Sequence, residues 1–131
     1  MAKEQVLLYH FCKEKKEAIE KICLQLGIKV NNIQVEQYHL PIGILIIGNF
    51  ETKKKIVEKH NIDYDKKTEE ILEEMMIMDG FSSSRMDRFL ERIKQAGISE
   101  IKLKAIVTEY NKNWNSVQLY QELKAEQRKL Q

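Results

Sequence analysis

The sequence predicts a mixed α/β (α+β) fold in which two β-α-β units form a ferredoxin-like sandwich, that is, four antiparallel strands with two helices on one face, and an extra C-terminal helix follows. The first observation is an internal repeat, because residues 6–28 align without a gap with residues 76–98. The second is the common layout of the two copies, namely an apolar run, an aromatic residue, an amphipathic stretch and a glycine. This layout is typical of a strand followed by a helix. A small Rossmann-like three-layer sheet, with residues 42–47 as an internal parallel strand, is the alternative.

The first copy is predicted to run strand, helix, strand over residues 6–36. Val6–Leu8 is a short apolar run that indicates a buried strand. Gly27 is placed to end the helix, because a residue that tolerates a positive φ is favoured there. A second strand is expected at about residues 29–36. The helix carries its apolar side chains at the 3.6-residue period: Ala18, Ile19, Ile22, Cys23 and Leu26.

The second copy repeats this order over residues 76–107, and a further helix follows it. Met75–Met78 predicts the strand, and Gly97 is placed to end the helix. Residues 101–107 alternate between apolar and polar side chains, which indicates a half-buried strand. The terminal helix is expected from about residue 114 to residue 129. The helix of the second copy has its own apolar stripe: Met86, Phe89, Leu90, Ile93 and Ala96. The clustered methionines are expected to fill the core: Met75, Met76, Met78 and Met86.

Two segments between the copies have no counterpart in the repeat. Residues 41–48 are apolar on both faces of an extended chain, so a fully buried strand or a hydrophobic crossing segment is predicted. Residues 51–74 are strongly charged and are predicted either as two short helices or as a solvated connector. Because 131 residues match the commonest domain size, we expect a single domain over residues 1–131.

The composition fits a soluble globular protein and argues against some partners. Hydrophobic residues make up 43% of the chain and charged residues 32%. The net charge of +2 argues against a dedicated nucleic-acid-binding protein, because such proteins usually carry a large excess of Lys and Arg. No apolar run is long enough to cross a bilayer, so no membrane partner is expected.

The cysteines and histidines give no sign of a metal site or a cofactor, and we expect none. Cys12 and Cys23 do not form a CxxC pair, and no two histidines have the spacing of metal ligands. Cys23 falls on the apolar face of the first predicted helix, which favours reduced thiols and a cytoplasmic protein. His10 and Cys12 would share one face of a strand, but no acid is placed to orient the imidazole. We therefore expect no catalytic residue at this pair.

The turn between strand and helix in the second copy, residues 79–85, is a candidate anion site. Ser82 is well placed as the N-cap, and free backbone N–H groups at a helix start can hold a phosphate or a carboxylate. Arg85, in the first helical turn, would attract an anion. The competing interpretation is an ordinary capped helix without a ligand, and no nucleotide-binding motif accompanies the turn.

The polar stretch after the last predicted strand is a candidate pocket for a small ligand. Lys104, Thr108 and Asn111 offer hydrogen-bonding groups there, and Trp114 is the one tryptophan of the chain. Together they would line a pocket. In the competing interpretation Asn111 or Asn113 caps the terminal helix, and Trp114 anchors that helix to the core.

Several short motifs are shared with a known family. GFS at residues 80–82, AGI at residues 96–98 and LKAIVTEYNKNW at residues 103–114 resemble a family of small bacterial proteins known only as a domain of unknown function. LLYHF at residues 7–11 and PIG at residues 41–43 are also similar to that family. The resemblance implies a bacterial cytoplasmic protein and no particular activity. The family tends to be acidic in the first turn of the second helix, where this chain has SSR, so no ligand at that turn is carried over.

The sequence favours a non-enzymatic binding or regulatory module for a partner protein or a small ligand. A small enzyme with a polar site at Lys104, Thr108 and Asn111 is the alternative. A nucleic-acid-binding module that uses an exposed sheet face is a third hypothesis, but the chain lacks the aromatic strand motifs of such proteins. We expect the terminal helix, or a second copy of the chain in a homodimer, to cover an apolar sheet face.

Overall fold

A computed structural model of the protein describes residues 4–47 and 71–129. The first of two compact units contains residues 4–32 and 73–106, and the second contains residues 33–47, 71–72 and 107–129. The predicted connector at residues 51–74 lies almost wholly outside the described residues. In chain order the elements are β1 (Gln5–Tyr9), α1 (Lys13–Leu26), β2 (Lys29–Asn32), a 3₁₀ turn (Val35–Gln37), α2 (Ile42–Leu45), β3 (Met75–Asp79), α3 (Ser83–Gln95), β4 (Leu103–Ile106) and α4 (Ser116–Lys129).

The first unit contains both copies of the repeat, each as a strand, a helix and a parallel strand. Its four-stranded sheet has the order β2-β1-β3-β4, in which β1 is parallel to β2, β3 is parallel to β4, and the two central strands are antiparallel. The α+β class, the duplicated units and the C-terminal helix are thus confirmed. The strand pairing differs from the four antiparallel strands we expected, because each copy keeps its two parallel strands adjacent. In a split β-α-β unit a strand of the other copy would lie between them.

The strand register shows that a pseudo-twofold relation connects the two copies. Leu7 lies opposite Ile77, and the flanking pairs Gln5–Asp79 and Tyr9–Met75 exchange places when 70 is added or subtracted. The outer pairings also correspond, since Gln5 pairs with Lys29 and Met75 pairs with Leu103. The connection from helix to outer strand is four residues longer in the second copy.

The turns of the two copies also match in backbone conformation. Gly27 and Gly97 follow α1 and α3 with φ values of 74° and 76°, which confirms the predicted helix ends. The residue after each central strand is left-handed as well, with φ of 61° at His10 and 82° at Gly80. His10 is the only described residue other than glycine with a positive φ.

The helices α1 and α3 pack on the same face of the sheet. Phe89 and Ile93 of α3 and Ile19 and Cys23 of α1 are buried there. The sheet supplies Val6, Leu8, Met76 and Met78 to the same cluster. Met75 points to the opposite face and is also fully buried, so the strand methionines fill the core as predicted.

Residues 42–47 do not form a buried strand, which was one of the two alternatives predicted for residues 41–48. Ile42–Leu45 is a short helical turn, and Ile42 and Leu45 are its buried side chains. A short run that is apolar on both faces cannot distinguish a buried strand from a buried helical turn. Tertiary contacts hold the turn in place, because the N–H of Gly43 donates to the carbonyl oxygen of Lys112 at 2.7 Å and a Cβ on residue 43 would lie 3.1 Å from that oxygen. The Rossmann-like alternative, which needed this strand, is excluded.

Two other element boundaries differ from prediction. The strand expected over residues 29–36 ends at Asn32 and gives way to the 3₁₀ turn, which the side chains of Gln34 and Gln37 cap reciprocally. The terminal helix begins at Ser116, two residues later than expected. Its N-cap is Asn115, which exchanges hydrogen bonds with Gln118 at 3.0 and 2.8 Å in a capping box.

Candidate functional site

The predicted anion site at the start of α3 is occupied by a side chain of the protein itself. Ser82 is the N-cap, as predicted, and accepts a hydrogen bond from the N–H of Arg85 at 3.2 Å. The guanidinium of Arg85 binds the carboxylate of Glu4 through Nε at 2.9 Å and Nη2 at 2.6 Å. Nη2 also donates to the carbonyl oxygen of Leu26 at 2.6 Å. Through these hydrogen bonds the side chain of Arg85 links the two copies.

The electrostatics of this pair favour the charged forms of both partners. The hydrogen bond from Arg85 and, more weakly, its positive charge lower the pKa of Glu4 below its ordinary value of 4.5, although burial acts in the opposite direction. The hydrogen bond to Glu4 raises the pKa of Arg85. Glu4 is a carboxylate at neutral pH and already fills the position that an anionic ligand would take.

The same link occurs a second time, related by the pseudo-twofold. Lys15 is the counterpart of Arg85, and Glu74 is the counterpart of Glu4. The ammonium of Lys15 lies 2.7 Å from a carboxylate oxygen of Glu74 and 2.9 Å from the hydroxyl of Ser99. Each copy thus contributes one cation and one acid to the two ion pairs that link the copies.

Thr108 and Asn111 lie close together, but they form hydrogen bonds with each other. The N–H of Thr108 donates to Oδ1 of Asn111 at 2.9 Å, and the N–H of Asn111 donates to the hydroxyl of Thr108 at 3.0 Å. Asn111 is buried. The polar atoms that were predicted to face a ligand therefore shape a closed turn in the second unit.

Trp114 lies beside Tyr110 in the same loop. Their rings are 5.5 Å apart in an edge-to-face arrangement, and Trp114 is half-buried while Tyr110 is 80% exposed. The backbone of Trp114 is fixed by hydrogen bonds from its own N–H to Asn111 and from the N–H of Ile42 to its carbonyl oxygen. The indole is a partial anchor, and it shares an exposed aromatic surface with Tyr110.

Lys104 belongs to the first unit and lines a groove of about 400 Å³. We call this the second-copy groove. It lies between α3, the connection after α3, and β4. Its lining residues are Leu90, Ile93, Lys94, Ile98, Glu100, Ile101 and Lys104.

The second-copy groove combines an apolar floor with two lysines. Ile93 and Ile101 are buried, and Leu90 is half-buried. Lys94 is exposed and Lys104 is half-buried, and neither ammonium forms an ion pair with any residue in the described part of the chain. The groove can therefore hold a molecule that is partly apolar and partly anionic.

The pseudo-twofold places a corresponding groove on the first copy. This first-copy groove, of about 420 Å³, lies between α1 and β2 and has a different charge pattern. Its lining residues are Glu17, Glu20, Lys21, Leu24, Ile28 and Val30. Leu24 is the counterpart of Lys94, and Val30 corresponds to Lys104 through the strand register.

The cysteines do not add chemistry to either groove. Burial, and next the charge of Glu20, raise the pKa of the Cys23 thiol to about 12, so this thiol is not a nucleophile at neutral pH. Cys12 is exposed at the start of α1 and is not in a disulfide. Within residues 4–47 and 71–129 no three His, Cys, Asp or Glu side chains are grouped so that they could hold a metal ion.

Sequence reasoning found Lys104 but missed Lys94 and Glu100. Lys94 was missed because a lysine in the last turn of a helix is usually a solvated residue that complements the helix dipole. The signal was nevertheless present in the repeat, where an aliphatic residue at position 24 aligns with a lysine. Glu100 belongs to the four-residue extension, which has no aligned counterpart.

Comparison with known proteins bears on the second copy. Residues 74–130 match a family model described as a domain of unknown function (DUF3783). The matched segment contains β3, α3, β4 and α4, so the resemblance to an uncharacterised family is confirmed for this part of the chain. No match was found among curated proteins or among solved structures. None of the helices within the described ranges is both long and apolar enough to span a membrane.

Proposed function

We propose that the protein is a non-enzymatic binding module and that a small ligand occupies the second-copy groove. The observation that carries this proposal is the pair Lys94 and Lys104, which flank an apolar floor and form no ion pair with any described residue. Small-molecule sites typically combine an apolar lining with a few polar groups that fix the orientation of the ligand. The volume of about 400 Å³ falls within the usual range of such sites.

The other candidate positions have less support. At the start of α3, Arg85 already binds Glu4, so an external anion would have to displace a carboxylate. In the loop after β4, Thr108 and Asn111 form hydrogen bonds with each other, so few of their polar groups could bind a substrate. The enzyme alternative relied on these groups and is correspondingly weaker.

We also propose a cellular compartment and binding partners for the protein. The buried thiol of Cys23 supports a reducing compartment, which fits the bacterial cytoplasm implied by the family resemblance. The exposed ring of Tyr110, which forms an aromatic surface with Trp114, supports contact with a protein partner or with a second copy of the chain. A regulatory role would follow if the ligand changed that contact.

Nuclear magnetic resonance tests the location of the site. The full-length ¹⁵N-labelled protein would be titrated with a panel of small aliphatic compounds that carry a positive, a neutral or a negative head group. We expect at least one class to shift the backbone resonances of residues 90–104 in a saturable manner. If no class shifts them, the groove is not a ligand site and the proposal fails.

A further inference from the structure

We infer that the second-copy groove selects an amphipathic monocarboxylate, that is, an aliphatic chain with one carboxylate at its end. This inference rests on the proposed function and adds the chemical class of the ligand. It follows from a comparison of two grooves that the same fold builds with different side chains. Side chains that both grooves share can be assigned to the fold, whereas side chains present only in the second-copy groove cannot.

The two lysines are not needed to build the fold. At the equivalent positions the first copy has Leu24 and Val30, and its helix and outer strand keep the same order and register. Leu24 is 82% exposed, so this helix position tolerates an aliphatic side chain in water. The fold therefore does not require a cation at either position.

The charges of the second-copy groove fit one negative group. Among the lining residues that the structure describes, Lys94 and Lys104 are the two cations and Glu100 is the single acid. One carboxylate would balance the remaining positive charge, whereas a cationic head group would meet two like charges. Charge-assisted hydrogen bonds from lysine to a carboxylate are stronger than neutral ones, so the two lysines favour a carboxylate over a neutral head group.

The floor of the groove requires that the rest of the ligand is apolar. Ile93 and Ile101 at the floor are buried, and Leu90 and Ile98 are half-buried. An inorganic anion would leave this surface wet and would gain nothing from it. An aliphatic chain would remove it from water, which is favourable in proportion to the apolar area covered.

The first-copy groove has the opposite character and serves as an internal comparison. Of the lining residues that the structure describes, Glu17 and Glu20 are acidic and Lys21 is the single lysine. A carboxylate in this groove would face two like charges. The inference therefore predicts one site for the carboxylate in each chain and not two.

Calorimetry with octanoate, used below its micelle concentration, tests the inference. We expect saturable binding of one octanoate per chain, weaker binding of acetate, and none of octylamine. Lys94→Leu and Lys104→Val introduce the residues of the first copy, so both variants should fold. Each should weaken octanoate binding about fivefold, and the double variant more than tenfold. Thermal unfolding of each variant checks the fold.

Lys102→Val is the matched control, because Lys102 is exposed, lies two residues before Lys104 and does not line the groove. It should leave octanoate binding unchanged. If the groove binds octylamine or a neutral compound but not octanoate, the inference is wrong while the proposed function stands. If nothing binds in the groove, both are wrong. Sedimentation with anionic lipid vesicles should leave the protein in solution, and co-sedimentation would show that the ligand is a membrane lipid, contrary to the inference.

Discussion

Arg85 of the second copy donates hydrogen bonds from two guanidinium nitrogens to the carboxylate of Glu4 in the first copy, at 2.9 and 2.6 Å. The pseudo-twofold repeats this link as Lys15 with Glu74 at 2.7 Å. The two acids immediately precede the central strands, and the two cations lie in the first turns of the helices. The two copies therefore share a reciprocal connection, with arginine as the cation on one side and lysine on the other.

The Arg85–Glu4 link should give stability a specific dependence on pH. Because the pKa of Glu4 is lowered in the folded state, its stabilising contribution is complete above its ordinary value of 4.5 and is lost as the pH falls through the folded pKa. Glu4→Gln should therefore be less stable than the wild type at pH 7, and the difference should shrink below pH 4.5. Urea unfolding at a series of pH values measures this difference.

Two further variants make the pH test specific. Glu91→Gln removes an exposed acid from α3 and should show no such pH-dependent difference. Arg85→Lys keeps the charge but loses the paired nitrogens, so it should fall between Glu4→Gln and the wild type at pH 7. A difference between wild type and Glu4→Gln that stayed constant from pH 7 to pH 3 would contradict the link.

His10 has a left-handed backbone that its counterpart, Gly80, adopts without a side-chain penalty. Left-handed backbone costs a residue with a side chain about 1–2 kcal/mol, whereas glycine loses more entropy on folding. His10→Gly should therefore be neutral or raise the free energy of unfolding by up to about 1 kcal/mol. Gly80→Ala should lower it by about 1 kcal/mol. Denaturant unfolding of both variants checks this pair, and a clear loss of stability in His10→Gly would contradict it.

Asn115, and neither Asn111 nor Asn113, caps the terminal helix. Removing an N-cap side chain typically costs about 1 kcal/mol, so Asn115→Ala should lower the free energy of unfolding by that amount. Asn113 is exposed, and Asn113→Ala should change it by less than about 0.5 kcal/mol. Equal effects of the two substitutions in thermal or urea unfolding would show that the capping box at Asn115 does not stabilise the helix.

The Tyr110–Trp114 pair should show measurable coupling. Edge-to-face aromatic pairs contribute about 0.5–1.5 kcal/mol beyond the area that they bury. A double-mutant cycle with Tyr110→Ala and Trp114→Ala should return a coupling energy in that range. Because Trp114 is half-buried, Trp114→Ala alone should cost less than the roughly 3–5 kcal/mol of a fully buried aromatic residue. A coupling energy of zero would mean that the two rings do not interact in solution.

The repeat explains why so much of the first unit could be predicted. The apolar stripe, the glycine and the strand recur 70 positions later, so each copy supported the interpretation of the other. Gly27, Gly97 and Ser82 took the predicted roles because left-handed caps and N-caps depend on local chemistry.

The errors arose where tertiary contacts decide the outcome. Ile42–Leu45 is a helical turn whose Gly43 lies against the backbone at Lys112, a residue far away in the sequence. The adjacency of parallel strands in each copy depends on which strand edges meet, and hydrophobic pattern does not determine that choice. Of the predicted ligand residues, Arg85, Thr108 and Asn111 are engaged with other residues of the protein, which no single-sequence argument could show.

The position of a bound carboxylate is the most direct test of the central claim, that the second-copy groove is the ligand site. Crystals of the protein with 8-bromooctanoate would locate the bromine by its anomalous scattering. The account predicts a single peak on the floor near Leu90 and Ile101, with the carboxylate at Lys94 and Lys104. A peak in the first-copy groove, beside Glu17 and Glu20, or no peak in the second-copy groove, would contradict it.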